Sequence, residues 1–162
     1  TGNIGDSKIG LEILKKNISL NTNTNQYFIK KYLYPTPCGI GSLIASHINS
    51  MKDISDGLIG DLTDMLNGKH GALINLNKIP LSTNTKKILN NRNDFKIENV
   101  LNSGDDYELL IISNQKNRNK LFRIANENKV KISYIGKIIR DKGIHFDSHL
   151  DMEKIKKFDH FS

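Results

Sequence analysis

The 162-residue sequence has no tryptophan, one cysteine, three prolines and only four arginines. A lone cysteine, Cys38, excludes an internal disulfide and a cysteine-built zinc site. With no neighbouring histidine and no helix N-terminus beside it, Cys38 also lacks the setting of a nucleophilic thiolate. No apolar run approaches the roughly 20 residues of a membrane-spanning helix. There is no signal-peptide pattern either, so the cytoplasm is the expected compartment and no membrane partner is expected. No Walker-type glycine-rich loop occurs, so any phosphate handling uses another architecture.

The shortage of arginine bears on charge. The net charge is +7 and the pI about 9.4, which first suggests a nucleic-acid or anionic-surface partner. Yet 20 of the 24 basic residues are lysine, and no Lys/Arg run exceeds two. Arginine is the better residue for bidentate phosphate and base contacts. Lys, Asn and Ile together supply 63 of 162 residues, a bias toward AT-rich codons across the whole chain. No nucleic-acid role is expected.

What is present suits one α+β domain spanning residues 1–162. Its apolar fraction is 37%, its charged fraction 25% and its mean hydropathy −0.45. The chain opens at Thr1-Gly2 without methionine, as expected of a processed chain, a trimmed one or the back half of something longer. Asp6 or Ser7 can cap a first helix carrying Ile9, Ile13 and Leu14 and ending near Asn17. Asn21-Thr22-Asn23-Thr24-Asn25 reads as a polar loop. The aromatic stretch Tyr27 to Tyr34 stops at Pro35-Thr36-Pro37, and a short helix over Ile40–Asn49 follows. A second amphipathic helix is expected over Gly57–Leu66. Strands are expected at 72–76, at the apolar run Leu109–Ile112, read as central, and at 131–139 and 143–146. Further helices are expected around 86–91 and 118–126. No internal repeat occurs.

Two segments carry chemistry. In Asp53-Ile54-Ser55-Asp56-Gly57-Leu58, an alternating strand presents Asp53 and Ser55 on one side. Asp56 follows at the strand-to-helix turn, where Gly57 permits unusual backbone angles and close approach of a ligand. The next helix directs its amides and positive dipole end to the same place. Two carboxylates, a hydroxyl and a helix N-terminus suit Mg²⁺ bound to a polyphosphate. The same residues also read as a plain helix cap by Ser55 and Asp56. In the second segment, Ser103-Gly104-Asp105-Asp106-Tyr107-Glu108, three acids lie within four positions before an apolar strand. A ligand cation or a metal would offset them, and an ordinary turn with solvated carboxylates is the alternative. Asp61 and Asp64 are read as a solvated helix face, and His47, His70, His145 and His149 show no metal-ligand spacing.

Taken in order, these segments resemble the C-terminal domain of the thiamine-monophosphate kinase family, within the aminoimidazole ribonucleotide synthetase-related superfamily. The first element is Thr1-Gly2-Asn3-Ile4-Gly5-Asp6-Ser7, similar to the family's inter-domain junction. Tyr34-Pro35-Thr36-Pro37 and Pro80-Leu81-Ser82 have counterparts too. Asp53-Ile54-Ser55-Asp56-Gly57-Leu58 with Asp61-Leu62 matches the superfamily signature. Gly104-Asp105-Asp106-Tyr107-Glu108-Leu109 and Phe158-Asp159-His160-Phe161 point to the thiamine branch.

The resemblance implies a mixed sheet of four to six strands with packed helices. It implies Asp53 and Asp56 as Mg²⁺ ligands, Ser55 as an ATP contact, and Asp105 and Phe158 as contacts to thiamine monophosphate. Gly57, Asp106 and Tyr107 would support them. Asp105 stands where the family has Glu, Ser103 and Cys38 where Gly and Arg are usual, and Lys157 where Gly is usual. The family's N-terminal domain, through which it homodimerises, is absent, with residues 1–7 as the remnant of the junction. The implied activity is phosphorylation of thiamine monophosphate to thiamine diphosphate, lost without that domain. The alternatives are a non-catalytic ligand-binding or degenerate fragment, or an acceptor belonging to another superfamily branch.

Overall fold

A computed structural model describes residues 1–148. Phe158 and the rest of the Phe158-Asp159-His160-Phe161 element lie outside the described residues. The chain opens with an antiparallel helix pair, α1 (Asp6–Leu14) and α2 (Thr22–Leu33). Gly5, in the left-handed region at φ 84°, precedes α1, so Asp6 and Ser7 are first-turn residues and not its caps. Both are buried along with Ile9 and Ile13, whereas Leu14 is exposed. The expected polar loop at residues 21–25 is instead the start of α2. Asn21 Oδ1 accepts from the Thr24 amide at 3.0 Å and the Thr24 hydroxyl at 2.9 Å, closing the open end of the helix. Phe28, fully buried, anchors α2 to the core and meets Tyr27 edge-on at 5.1 Å.

After the prolines come α3 (Gly41–Ile44), a 3₁₀ turn (Ala45–His47) and β1 (Ser50–Asp53). Next are α4 (Leu58–Leu66), β2 (Gly71–Ile74), α5 (Thr83–Asn91), α6 (Ile97–Leu101) and β3 (Leu109–Ile112). The described chain closes with α7 (Arg118–Glu127), β4 (Gly136–Ile139) and β5 (Gly143–Phe146). The five strands among the described residues fall within the expected four to six but form two sheets instead of one. β1 and β3 pair antiparallel, with Ser50 opposite Ile112 and Asp53 opposite Leu109. The other sheet is mixed in the order β4-β2-β5, β2 running antiparallel to β4 and parallel to β5. The strands flanking Arg140-Asp141-Lys142 are therefore not partners, because β2 lies between them.

β3 corrects the reading of a central strand. Among the described residues β1 is its one strand partner, with Thr1 bonding Leu109 at its start, but both its faces are covered. Leu110 and Ile112 join the main core, which includes Ile9, Phe28, Leu58, Leu62 and Val100. Leu109 and Ile111 pack on a second cluster formed by Ile40, Ile44, Leu121 and Ala125. The continuous apolar run reports two covered faces, not two paired edges. An apolar cleft of about 340 Å³ separates β3 from the 132–138 segment. Among the described residues, no helix is long and apolar enough to cross a membrane.

Candidate functional site

The two chemistry-bearing segments leave the same end of the β1–β3 ladder and continue its pairing. Ile54 N–H donates to Glu108 C=O at 2.8 Å, Tyr107 N–H to Ile54 C=O at 3.0 Å and Asp105 N–H to Ser55 C=O at 3.1 Å. Two glycines make this lacing possible. A Cβ on Gly104 would fall 1.9 Å from the Ser55 carbonyl oxygen. Gly57 adopts φ 89°, and a Cβ there would lie 2.8 Å from the Asn102 carbonyl carbon. Asp105 (φ 64°) and Tyr107 (φ 51°) also sit in the left-handed region. Such strain in non-glycine residues costs about 1–2 kcal/mol each and persists where surrounding contacts hold it.

The second loop is clamped from its other side by the start of α1. Asp106 accepts from the Gly5 amide at 2.7 Å and the Ser7 amide at 3.3 Å. Ser7 Oγ donates to the Asp105 carbonyl at 2.8 Å. Burial of the carboxylate beneath residues 5–7 pushes Asp106 up to about 7, against the pull of those two amides and aided by the charge of Asp6. Asp6 is buried and accepts three hydroxyls, from Tyr27 (2.6 Å), Ser82 (2.7 Å) and Thr85 (2.6 Å). Burial first, then the bond to Asp6, pushes the Tyr27 hydroxyl up to about 12. The network ties the first turn of α1 to α2 and to the N-terminus of α5.

Asp53 ends β1 and is exposed, while Ser55 and Asp56 are half-buried in the turn that follows. The structure groups Asp56 not with Asp53 but with Asp61 and Asp64, whose carboxylate oxygens all lie within 4.8 Å of one another. Asp61 overturns the reading of a solvated helix face, for it is completely buried while Asp64 is exposed. Its Oδ2 accepts from the amides of Ser55 and Asp56, each at 3.0 Å. Its Oδ1 lies 2.7 Å from Lys52 Nζ, which also reaches Asp64 at 2.9 Å. Bonds to these two acids raise the Lys52 ammonium above its ordinary range. The amides of Ser55 and Asp56 are thereby committed within the protein.

Helical spacing placed Asp61 all along. It lies three residues after Leu58 and next to Leu62, on the stripe that faces the core. Lys52 gave no local signal, because its partners are 9 and 12 residues away. Cys38 packs beside the second cluster, consistent with an unreactive thiol. The donor set around Asp56 is entirely oxygen, the chemistry that Mg²⁺ prefers, and Asp53, Asp56 and Asp64 reach the surface. These residues therefore fit a hard divalent cation.

Residues 11–148 match the family described as AIR synthase related protein, C-terminal domain. Among curated proteins, the chain is 41% identical to the thiamine-monophosphate kinase of Buchnera aphidicola subsp. Acyrthosiphon pisum. That similarity covers 99% of this chain and 51% of that protein. It is 31% identical to the thiamine-monophosphate kinase of Escherichia coli K12, over 100% of this chain and 51% of the relative. The solved structure of AaThiL complexed with AMPPCP and TMP superposes with a TM-score of 0.80 at 26% identity, covering 99% of this chain and 50% of that one. The chain thus spans about half the length of the proteins it matches.

Proposed function

The chain belongs to the AIR synthase related protein family, as its C-terminal domain, and from that premise we propose that it forms one half of an ATP- and Mg²⁺-dependent thiamine-monophosphate kinase. The observation that carries this reading is the lacing of the Asp53–Gly57 turn to the Gly104–Glu108 loop at one end of the β1–β3 ladder. It brings the residues suited to a metal nucleotide beside those suited to a cationic acceptor. The similarity to thiamine-monophosphate kinases, and to a structure holding AMPPCP and TMP, supports the same assignment.

In this reading the γ-phosphoryl group of ATP passes to the phosphate of thiamine monophosphate, its bond to the β-phosphate oxygen breaking as the new P–O bond forms, giving thiamine diphosphate and ADP. The acceptor oxygen is largely ionised at neutral pH, so no strong general base is needed and catalysis rests on positioning and charge. Mg²⁺, when bound, neutralises the phosphates that must approach one another. Asp53 and Asp56 hold it, and the Ser55 hydroxyl contacts ATP. Asp105 sets a carboxylate against the cationic thiazolium. Phe158 adds an aromatic face, where a cation–π contact contributes about 0.5–2 kcal/mol. Asp106, Tyr107 and Gly57 hold the two loops in place. Residues 1–7 form the junction to an N-terminal domain that contributes the remaining nucleotide contacts and the homodimer interface. The 162-residue chain is then inactive alone.

An ATP- and Mg²⁺-dependent assay for thiamine diphosphate tests the proposal. The isolated chain is expected to show no turnover, and the chain joined to the other half of a relative to show activity. There, Asp53→Ala or Asp56→Ala should lower kcat by about 100-fold or more, the scale of losing a charge-stabilising contact. Wild-type rates in these variants would remove their metal role. Turnover by the chain alone at a relative's rate would overturn the claim of inactivity.

A further inference from the structure

We propose that Asp61 is a positioning residue that fixes the Ser55–Asp56 peptides for cation binding, and that Lys52 restrains the cation affinity of the same site. The inference rests on the metal-nucleotide reading of the Asp53–Gly57 turn and deepens it. Asp61 belongs to the first turns of α4, yet its carboxylate folds back on the segment before the helix. There one oxygen takes the two amides that lie between the candidate ligands, each at 3.0 Å. A fully buried carboxylate is strongly disfavoured unless amides and an opposite charge meet it, and here both do. The two bonds define the peptide planes from which the Ser55 and Asp56 side chains project.

Lys52 acts in the opposite sense. From β1 its ammonium reaches Asp61 at 2.7 Å and Asp64 at 2.9 Å, within the same group of carboxylates that includes Asp56. One fixed positive charge at contact distance lowers the attraction of that group for a second cation. Asp61 therefore supports cation binding through backbone geometry, and Lys52 limits it through charge.

Three variants of the chain separate these roles, with Mn²⁺ titration as the cation readout and amide hydrogen exchange as the readout of the loop. Asp61→Ala should lose exchange protection at Ser55 and Asp56 by 10-fold or more and bind Mn²⁺ about 10-fold more weakly. Asp61→Asn retains an acceptor oxygen and should keep most of the protection. Lys52→Met should keep protection at both amides and bind Mn²⁺ several-fold more tightly. This rise in affinity would not arise from a role confined to folding. Unchanged protection in Asp61→Ala, or Mn²⁺ affinity in Lys52→Met that is equal to or weaker than wild type, overturns the proposal. Should Asp61→Ala fail to fold, Asp61→Asn decides the positioning role by a partial loss of protection confined to the Ser55 and Asp56 amides, and no loss there overturns it. Lys52→Met decides the restraint by the direction of its Mn²⁺ affinity. A wild-type chain that takes up no Mn²⁺ while Lys52→Met takes it up would count against metal binding by this chain alone, yet support the restraint by Lys52. If neither binds Mn²⁺, the restraint is refuted, while the kinase reading is still tested by the joined enzyme.

Discussion

Asp106 stands in an acidic cluster that suggested a facing cation or metal, whereas its carboxylate is occupied by the amides of Gly5 and Ser7. It supports Asp105 by locking the loop against α1. Its titration gives a pH dependence of definite sign. Burial raises it from 3.8 to about 7. Below pH 4 the folded and unfolded states both hold the proton, and between about 4 and 7 only the folded state does. Stability from this group therefore falls as pH rises from 4 to 7 and is constant above that range. Asp106→Asn should flatten that part of the profile, while losing about 1 kcal/mol at pH 4 through the weaker contact to Ser7. Urea unfolding midpoints at pH 4, 5.5 and 8 check this, and identical slopes for variant and wild type would refute it. Asp61 carries the complementary lesson about legibility. Polarity suggested solvent, but its position beside Leu58 and Leu62 pointed inward, and the amides that make burial tolerable belong to the preceding turn.

Elements were most legible where periodicity and apolar content agreed, as in α4, α7 and β3. The start of α2 was not, because Asn and Thr serve both turns and helix caps and local sequence does not say which. Burial of Phe28 decided it. The division into two sheets was also hidden, since strand patterns record covered faces and not partners. The paired loops were legible as motifs, but their mutual lacing depends on close approach at Gly104. There a methyl group would meet backbone, which cannot rotate aside. Gly104→Ala should destabilise the protein by about 1–3 kcal/mol, lowering Tm by roughly 2–4 °C per kcal/mol. On the proposed kinase reading, it should also weaken nucleotide and thiamine monophosphate binding together in the joined enzyme, because it parts the two loops assigned to them. Gly39→Ala is the matched control, for nothing lies within 4 Å of its added methyl group. Calorimetric melting of the two variants tests the contrast, and a Gly104→Ala melt equal to that of Gly39→Ala would exclude the close packing.

At the scale of the molecule, the two clusters on either side of β3 imply uneven stability. The main core joins α1, α2, α4, β2 and α6, with Phe28, Leu58, Val100 and Leu101 each almost wholly removed from solvent. Among the described residues the second has Ile40, Ile44, Leu121 and Ala125 as its buried members, and it fastens α3 and α7 to the far face of β3. Elements with few buried apolar partners open at lower free energy than the global transition. The amides of α7 should therefore exchange by a sub-global opening, ahead of those in α4 and β2. Leu121→Ala should destabilise that layer by about 2–5 kcal/mol, the usual range for removing a buried leucine. The exchange of α7 should accelerate in step, while α1 and β2 change far less. Because the Asp53–Gly57 turn and the Gly104–Glu108 loop are held by α1, α4 and the main core, Mn²⁺ affinity should survive this substitution. If the α7 amides exchange only with global unfolding, or Leu121→Ala abolishes Mn²⁺ binding along with its local effect, the two clusters act as one cooperative unit.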